Sequence, residues 1–273
     1  MAELRNIKWS RLLKDLTSRQ SLEILLKSKS LQWALTYCLR QQNHIALNEL
    51  EDLILEYKGI RYKPHPLNYP RIFEAYDRYK IEELRPDDVV LDLGANIGSF
   101  SLPAAKVVEK VIAVEPLFSR ELEENSWLNY LDNIWVYKNS IGTTEVDCQE
   151  YKGKAEITNT LPTYATFVRM DIGGAEWLIK PDTIITPRVR HFEGEFHFWT
   201  KKQRKNSKYS YGLRWWLSVL ELNGLNYTLR WSRHHHWAYV SADKSYKESK
   251  EVQLQNGSFE GGSKRLWKLN FLI

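Results

Sequence analysis

Asp92-Leu-Gly94-Ala95-Asn96-Ile-Gly98 follows a short apolar run, Val89 to Leu93, and leads into a helical stretch. A glycine-rich turn between strand and helix lets a ligand come close to backbone N–H groups. The next apolar run, Val111-Ile-Ala-Val114, ends in Glu115 and Pro116. A carboxylate in that place can accept hydrogen bonds from two ribose hydroxyls. Together the two features imply an adenine nucleoside with an anionic group at the turn. The alternative is that the glycines only permit close strand–helix packing.

The spacing argues against a dinucleotide, whose fingerprint reads G-x-G-x-x-G. Here Asn96 replaces the middle glycine and Gly98 comes one residue early. Asp92 stands two places before Gly94, where a carboxylate repels pyrophosphate and attracts an ammonium group. S-adenosylmethionine carries both an ammonium and a carboxylate, so it is expected as cofactor in preference to NAD. The turn residues Gly94, Ala95, Asn96 and Gly98 would take its carboxylate, Asp92 its ammonium, directly or through water, and Glu115 its ribose. Pro116 borders that site. Asn139 and Ser140, just after the run Ile134 to Tyr137, are expected beside the adenine, with an ordinary loop asparagine as the alternative.

The run Thr166 to Met170 ends at Asp171, where methyl donor and acceptor should meet. Methyl transfer to a hydroxyl needs an in-line approach and removal of the hydroxyl proton. Asp171 is the first catalytic candidate, as base or orienting group. Glu195 and His197, at the end of the adjacent run Val189 to Phe196, are the next. Glu176 falls on the first turn of the following helix, where it favourably meets the helix dipole.

These residues need a frame to hold them. Seven strand candidates alternate with helices: the five runs above, Tyr227 to Trp231, and Leu266 to Ile273. Ser99 to Val108, Ser119 to Leu131 and Trp215 to Asn223 read as helices, the last stopped by Gly224. Repeated strand–helix units predict a mostly parallel, Rossmann-like α/β sheet with helices on both faces. Ligands in such sheets bind beyond the carboxyl ends of the strands. Residues 1 to about 56 carry leucines at helical spacing, which predicts a helical N-terminal extension, a cap or lid. Tyr57 to Tyr62 reads as a small turn or hairpin about Gly59, and Pro64, Pro66 and Pro70 as a stiff connector. The expected division is 1–66 for the extension and 67–273 for the cofactor-binding domain.

Asp88-Val-Val-Leu-Asp-Leu-Gly-Ala-Asn-Ile-Gly-Ser-Phe-Ser101 closely resembles the first motif of FkbM-type methyltransferases. Val111-Ile-Ala-Val-Glu-Pro116, with Asn125 and Asn129 beyond it, resembles their second. Phe167 to Glu176 resembles their K-I-D-V-E-G-A-E motif, and Glu195-Phe-His197 their acid-x-His strand ending. The resemblance spans roughly residues 70–240. It implies a class I methyltransferase fold of seven strands with the last antiparallel, S-adenosylmethionine as donor, and typically oxygen methylation. Arg169 stands where the family usually has Lys, and Gly173 where it usually has Glu.

Composition limits the remaining choices. With 273 residues, 43% hydrophobic and 27% charged, the chain is globular. Two cysteines, Cys38 and Cys148, make no disulfide framework or zinc module. No apolar run is long enough to cross a bilayer, and Met1 to Lys27 lacks a signal-peptide core. No membrane insertion is expected, and a cytoplasmic location is. No metal site is expected either: consecutive strand residues such as His234, His235 and His236 point to alternating faces. The net charge of +5 permits an anionic partner. Between Glu195 and Glu221 there is no acidic residue, while Lys201, Lys202, Arg204, Lys205, Lys208 and Arg214 interleave with Trp199, Tyr209, Tyr211, Trp215 and Trp216. That pattern suits nucleic acid or a glycan; a solvated loop and a helix with core tryptophans is the plainer reading. With the oxygen methylation that the resemblance implies, the main reading is O-methylation of a small or sugar-containing (glycan) acceptor. The alternatives are an RNA acceptor bound along residues 196–216, or an inactive S-adenosylmethionine-binding protein. Oligomeric state is left open.

Overall fold

The computed structural model describes residues 54–63, 72, 75–76, 78–139, 147–148, 151–152, 164–198, 207–232, 237–245 and 249–253. The expected N-terminal helices up to residue 53, Ser140, the run 199–206, His234 to His236 and the strand candidate 266–273 lie outside them. The chain forms two compact units, Met1–Ser140 and Ile141–Ile273.

The first unit opens with the antiparallel hairpin β1 (Leu55–Tyr57) and β2 (Ile60–Tyr62). Lys58 and Gly59 both take left-handed backbone at the turn, φ 50° and 74°, as a two-residue hairpin loop of matching twist requires. Ile60 and Tyr62 are buried and Arg61 is exposed, the alternation of a one-sided strand. Asp88 closes the next turn by accepting the Arg85 N–H at 2.7 Å. Then come β3 (Val89–Leu93), α1 (Ser101–Ala105), β4 (Lys110–Val114), α2 (Ser119–Leu128) and β5 (Ile134–Tyr137). β4 pairs in parallel with β3 on one side and β5 on the other. The helix expected over Ser99 to Val108 is the shorter, fully buried α1. Asn133 ends it, donating its side-chain N–H groups to the carbonyls of Ala105 and Val108 at 2.9 and 3.1 Å.

The second unit holds the short pair β6 (Asp147–Cys148) and β7 (Tyr151–Lys152), then β8 (Phe167–Met170) and β9 (His191–His197). They are followed by α3 (Ser207–Leu222), β10 (Asn226–Trp231), β11 (Trp237–Asp243) and β12 (Lys250–Gln253). Its strands run in the order β12-β10-β11-β9-β8. β8 and β9 are parallel, and β11 is antiparallel to both β9 and β10. Phe192, Phe196 and Trp216 pack ring to ring, with Phe196 and Trp216 centroids 5.4 Å apart. The Leu225 N–H bonds back to the Leu220 carbonyl over Gly224, whose φ of 77° ends α3 where the sequence placed the stop.

The fold is the mostly parallel, Rossmann-like α/β class, with strands β3, β4, β5, β8, β9, β10 and β11. One strand lies where none was expected: Trp237–Asp243, antiparallel to β9. Its small and polar residues, Ala238, Ser241, Ala242 and Asp243, weaken the apolar signature of a buried strand, yet all are buried. β12, parallel to β10, has no counterpart among the expected strands. Among the described residues no helix is long and apolar enough to cross a membrane.

Candidate functional site

The glycine turn leaves β3 in an unusual backbone conformation. Gly94, Asn96 and Gly98 take φ values of 84°, 53° and 95°. Glycine and asparagine are the residues that adopt this region at low cost. Asn96 also accepts the Ile97 N–H on its own side-chain oxygen at 2.9 Å. At Gly98 a second constraint applies: an added Cβ would lie 2.7 Å from both Leu102 and Leu122. The N–H groups of Gly94 and Ala95 donate to the Val114 carbonyl at 2.9 and 3.2 Å, so the turn is fastened to the end of β4.

Glu115 is the other fastening. Its Oε2 accepts the Asn96 N–H at 2.7 Å, and its Oε1 accepts the N–H groups of Leu117 and Phe118 at 2.7 and 3.1 Å. An ionised carboxylate offers about four acceptor sites, so roughly one remains, on Oε2. Burial pushes the Glu115 carboxyl above its ordinary pKa, and the three backbone donors pull it back part of the way. Asp92 is fully buried within β3, and its Oδ2 accepts the Ser101 hydroxyl at 2.5 Å. Asp92 therefore pins the first residue of α1 behind the turn.

Asn125, on α2, and Asn129, which caps its C-terminal end, brace the same region. Asn125 donates to the Ile97 carbonyl at 3.0 Å and accepts the Lys63 N–H at 2.7 Å. Asn129 pairs with the backbone of Arg61, accepting its N–H at 2.8 Å and donating to its carbonyl at 2.6 Å. The hairpin is thus stitched to α2, and through Asn125 to the glycine turn. Pro116 and Asn139 are both partly exposed, at the ends of β4 and β5.

The second unit has a polar cluster of its own. Arg169, buried in β8, donates to Asp171 Oδ2 at 3.0 Å. His197, the last residue of β9, has Nδ1 2.5 Å from Glu176 Oε1. Its Nε2 faces Asp171 Oδ1 at 3.8 Å and Glu195 Oε2 at 3.7 Å, beyond hydrogen-bond range. Burial alone would lower the His197 pKa, but Glu176, Asp171 and Glu195 outweigh it and raise it to about 9. Asp171, Glu195 and His197, the three residues proposed from sequence, are therefore brought together.

Glu176 has a larger part than its sequence position suggested. It lies in the 3-10 turn Ala175–Leu178, where it does accept the Gly174 N–H at 3.1 Å. It is also fully buried and holds the imidazole of His197. A related feature went unread: His191, Glu193, Glu195 and His197 alternate along β9, so all four share one face. His191 lies 2.8 Å from Asp243 and 2.7 Å from Glu193, and Ser241 donates to Glu193 at 3.1 Å. The Phe167 ring stacks on His191 at 4.5 Å.

The basic aromatic segment divides. Phe196, Phe198 and Trp216 are core residues and form no surface track. Trp215 is 39% exposed and Arg214 is exposed beside it on α3.

No family model matches the chain. The 23S rRNA (uracil(1939)-C(5))-methyltransferase RlmD of Xanthomonas axonopodis pv. citri is 47% identical over 58 residues, 20% of this chain and 13% of that protein. The same enzyme of Aliivibrio salmonicida is 29% identical over 105 residues, 38% of this chain and 24% of that protein. The matched stretch is less than a quarter of the length of these curated relatives. Among solved structures, Trm5b from Pyrococcus abyssi has a TM-score of 0.45 at 18% identity, covering 73% of this chain and 57% of that one. TYW2 of M. jannaschii, in complex with AdoMet, has a TM-score of 0.44 at 19% identity, covering 73% of this chain and 87% of that one.

Proposed function

We propose that this chain is an S-adenosylmethionine-dependent methyltransferase with an RNA acceptor. The observation that carries the first half is the glycine turn locked to the Glu115 carboxylate at the end of β4. The residues fit the donor. Gly94, Ala95, Asn96 and Gly98 would receive its carboxylate, the open position on Glu115 one ribose hydroxyl, and Pro116, Asn139 and Ser140 its adenine side. Asp92 sets the shape of the turn and supplies negative charge behind it. When bound, the donor supplies an electrophilic methyl group on a sulfonium sulfur. Asp171, Glu195 and His197 are assigned to the acceptor, which they orient, with a carboxylate of Asp171 or Glu195 taking its proton.

Two observations support RNA. The curated relatives are, by their printed names, 23S rRNA methyltransferases. Arg214 and Trp215 also continue the basic run 201–208 onto the surface of α3. A second reading, a hydroxyl-bearing small molecule or glycan, is favoured by the buried His–carboxylate cluster, which is suited to a hydroxyl.

The test is methyl transfer from labelled S-adenosylmethionine to bulk RNA and to a small-molecule extract, at rising salt. Label entering RNA, with binding that weakens steeply as salt rises, is expected. Label entering only small molecules, without salt dependence, would support the second reading and reject the first.

A further inference from the structure

We propose that Asp171, Glu195 and His197 form a site for one divalent first-row metal ion such as Mn2+ or Zn2+. One imidazole nitrogen and two carboxylate oxygens converge there, all within 4.8 Å of one another. The donor set is mixed nitrogen and oxygen, which suits Mn2+, Fe2+ or Zn2+ better than Mg2+ or Ca2+. The two distances from the imidazole are those of ligands sharing an ion. Two atoms about 2.1 Å from one metal and about 120° apart stand about 3.6 Å from each other. His197 Nε2 is 3.8 Å from Asp171 Oδ1 and 3.7 Å from Glu195 Oε2.

The surroundings add an independent sign. Metal-binding histidines hold their second nitrogen against a carboxylate, which fixes the ring and leaves the first nitrogen for the ion. Glu176 does this for His197 through Oε1 at 2.5 Å. The other oxygen of Glu176, Oε2, is buried and has no hydrogen-bond partner among the described residues. A buried carboxylate oxygen left so is costly unless positive charge lies close by. Without an ion the protonated His197 ring carries that charge; a divalent ion that displaces the Nε2 proton takes its place. The site needs no cofactor; where the methyl-transfer reading also holds, the ion would bind the acceptor oxygen and lower its pKa.

The full chain, dialysed against chelator and without S-adenosylmethionine, is titrated with Mn2+ by calorimetry and by paramagnetic resonance of free Mn2+. One ion per chain is expected. Asp171→Asn and His197→Gln should each weaken it more than tenfold, and Glu176→Gln by 10- to 100-fold. Asp182→Asn, on an exposed turn, should leave it unchanged. Circular dichroism checks that each variant folds. A measurement on the unaltered chain guards against variants that do not: Mn2+ should broaden the imidazole resonances of His197 before those of His191. Absence of binding, equal binding by the variants, or broadening confined to His234, His235 and His236 would overturn the site. Binding of S-adenosylhomocysteine is read separately, so metal without cofactor would sink the methyltransferase reading alone.

Discussion

The backbone N–H of Asn96 points into the carboxylate of Glu115 at 2.7 Å, so the glycine turn after β3 and the acidic end of β4 are one object. The same carboxylate organises the loop ahead of α2 through Leu117 and Phe118. A ligand at Glu115 meets a group already placed by three donors. It therefore pays little for ordering that group.

Glu115→Gln should weaken S-adenosylhomocysteine binding at least tenfold, because an amide accepts fewer hydrogen bonds than a carboxylate. The charged form is the acceptor, and burial raises its pKa above the ordinary value. Affinity should therefore fall as pH drops through that raised pKa, at a higher pH than for an exposed glutamate. Calorimetry across the acidic range checks this; a profile shared by wild type and Glu115→Gln would contradict it.

Gly98→Ala should destabilise the chain by about 2–4 kcal/mol. The new methyl group must occupy space held by Leu102 and Leu122, at a φ of 95° that alanine disfavours. Urea unfolding measures the cost, and a change below about 0.5 kcal/mol would show that the turn yields to make room for the methyl group.

Asn125→Ala removes the bonds to Ile97 and Lys63 and should cost about 1–3 kcal/mol. It should also reduce cofactor affinity, since Ile97 belongs to the turn. Among the described residues Asn129 bonds to the Arg61 backbone and the Asn125 carbonyl, so Asn129→Ala should spare affinity. Unfolding and binding curves for both variants separate bracing of the turn from bracing of the hairpin.

A pH window follows from His191 and Asp243. Burial works against a charged His191, but Asp243 and Glu193 prevail and raise its pKa. The bond to His191 holds the Asp243 carboxyl far below its usual range, against the effect of burial. The His191 contribution is complete below its unfolded pKa, about 6.5, and fades as pH rises through the folded value. The Asp243 contribution is complete above about pH 4 and fades as pH falls through its lowered value. Stabilisation by the pair should peak between about pH 4 and 6.5. Asp243→Asn should lose about 3 kcal/mol within that window and flatten the profile. Unfolding at pH 5 and pH 8 gives the comparison.

Much of the cofactor side was legible because local chemistry dictates it. The Asp92–Gly98 turn, the Glu115 strand end and the Gly59 hairpin need particular residues at particular backbone angles, and those residues stand in the sequence. The acceptor side was legible only as a group of ends, Asp171, Glu195 and His197. Their mutual distances depend on strand register, which sequence spacing does not give. Glu176 was read by its place in a turn, and its bond to His197 spans 21 residues of chain. The charged face of β9 was hidden because polar residues at alternate positions normally signal solvent, whereas here all four are buried. Trp216 is core, as the plainer reading of the basic aromatic segment had it, and Phe196 and Phe198 are core with it although a basic run follows them.

Asp171→Asn should lower methyl transfer by about 10²–10⁴-fold while changing S-adenosylhomocysteine affinity by less than about twofold. Single-turnover transfer and calorimetry together read this. Equal losses in both would make Asp171 a cofactor residue.

Titration of the full chain with S-adenosylhomocysteine, with NAD as the comparison, shows whether the glycine turn and Glu115 bind S-adenosylmethionine. S-adenosylhomocysteine alone should bind, at one per chain, and Asp92→Ala should abolish that binding. Absence of binding, or binding of NAD in its place, would contradict it.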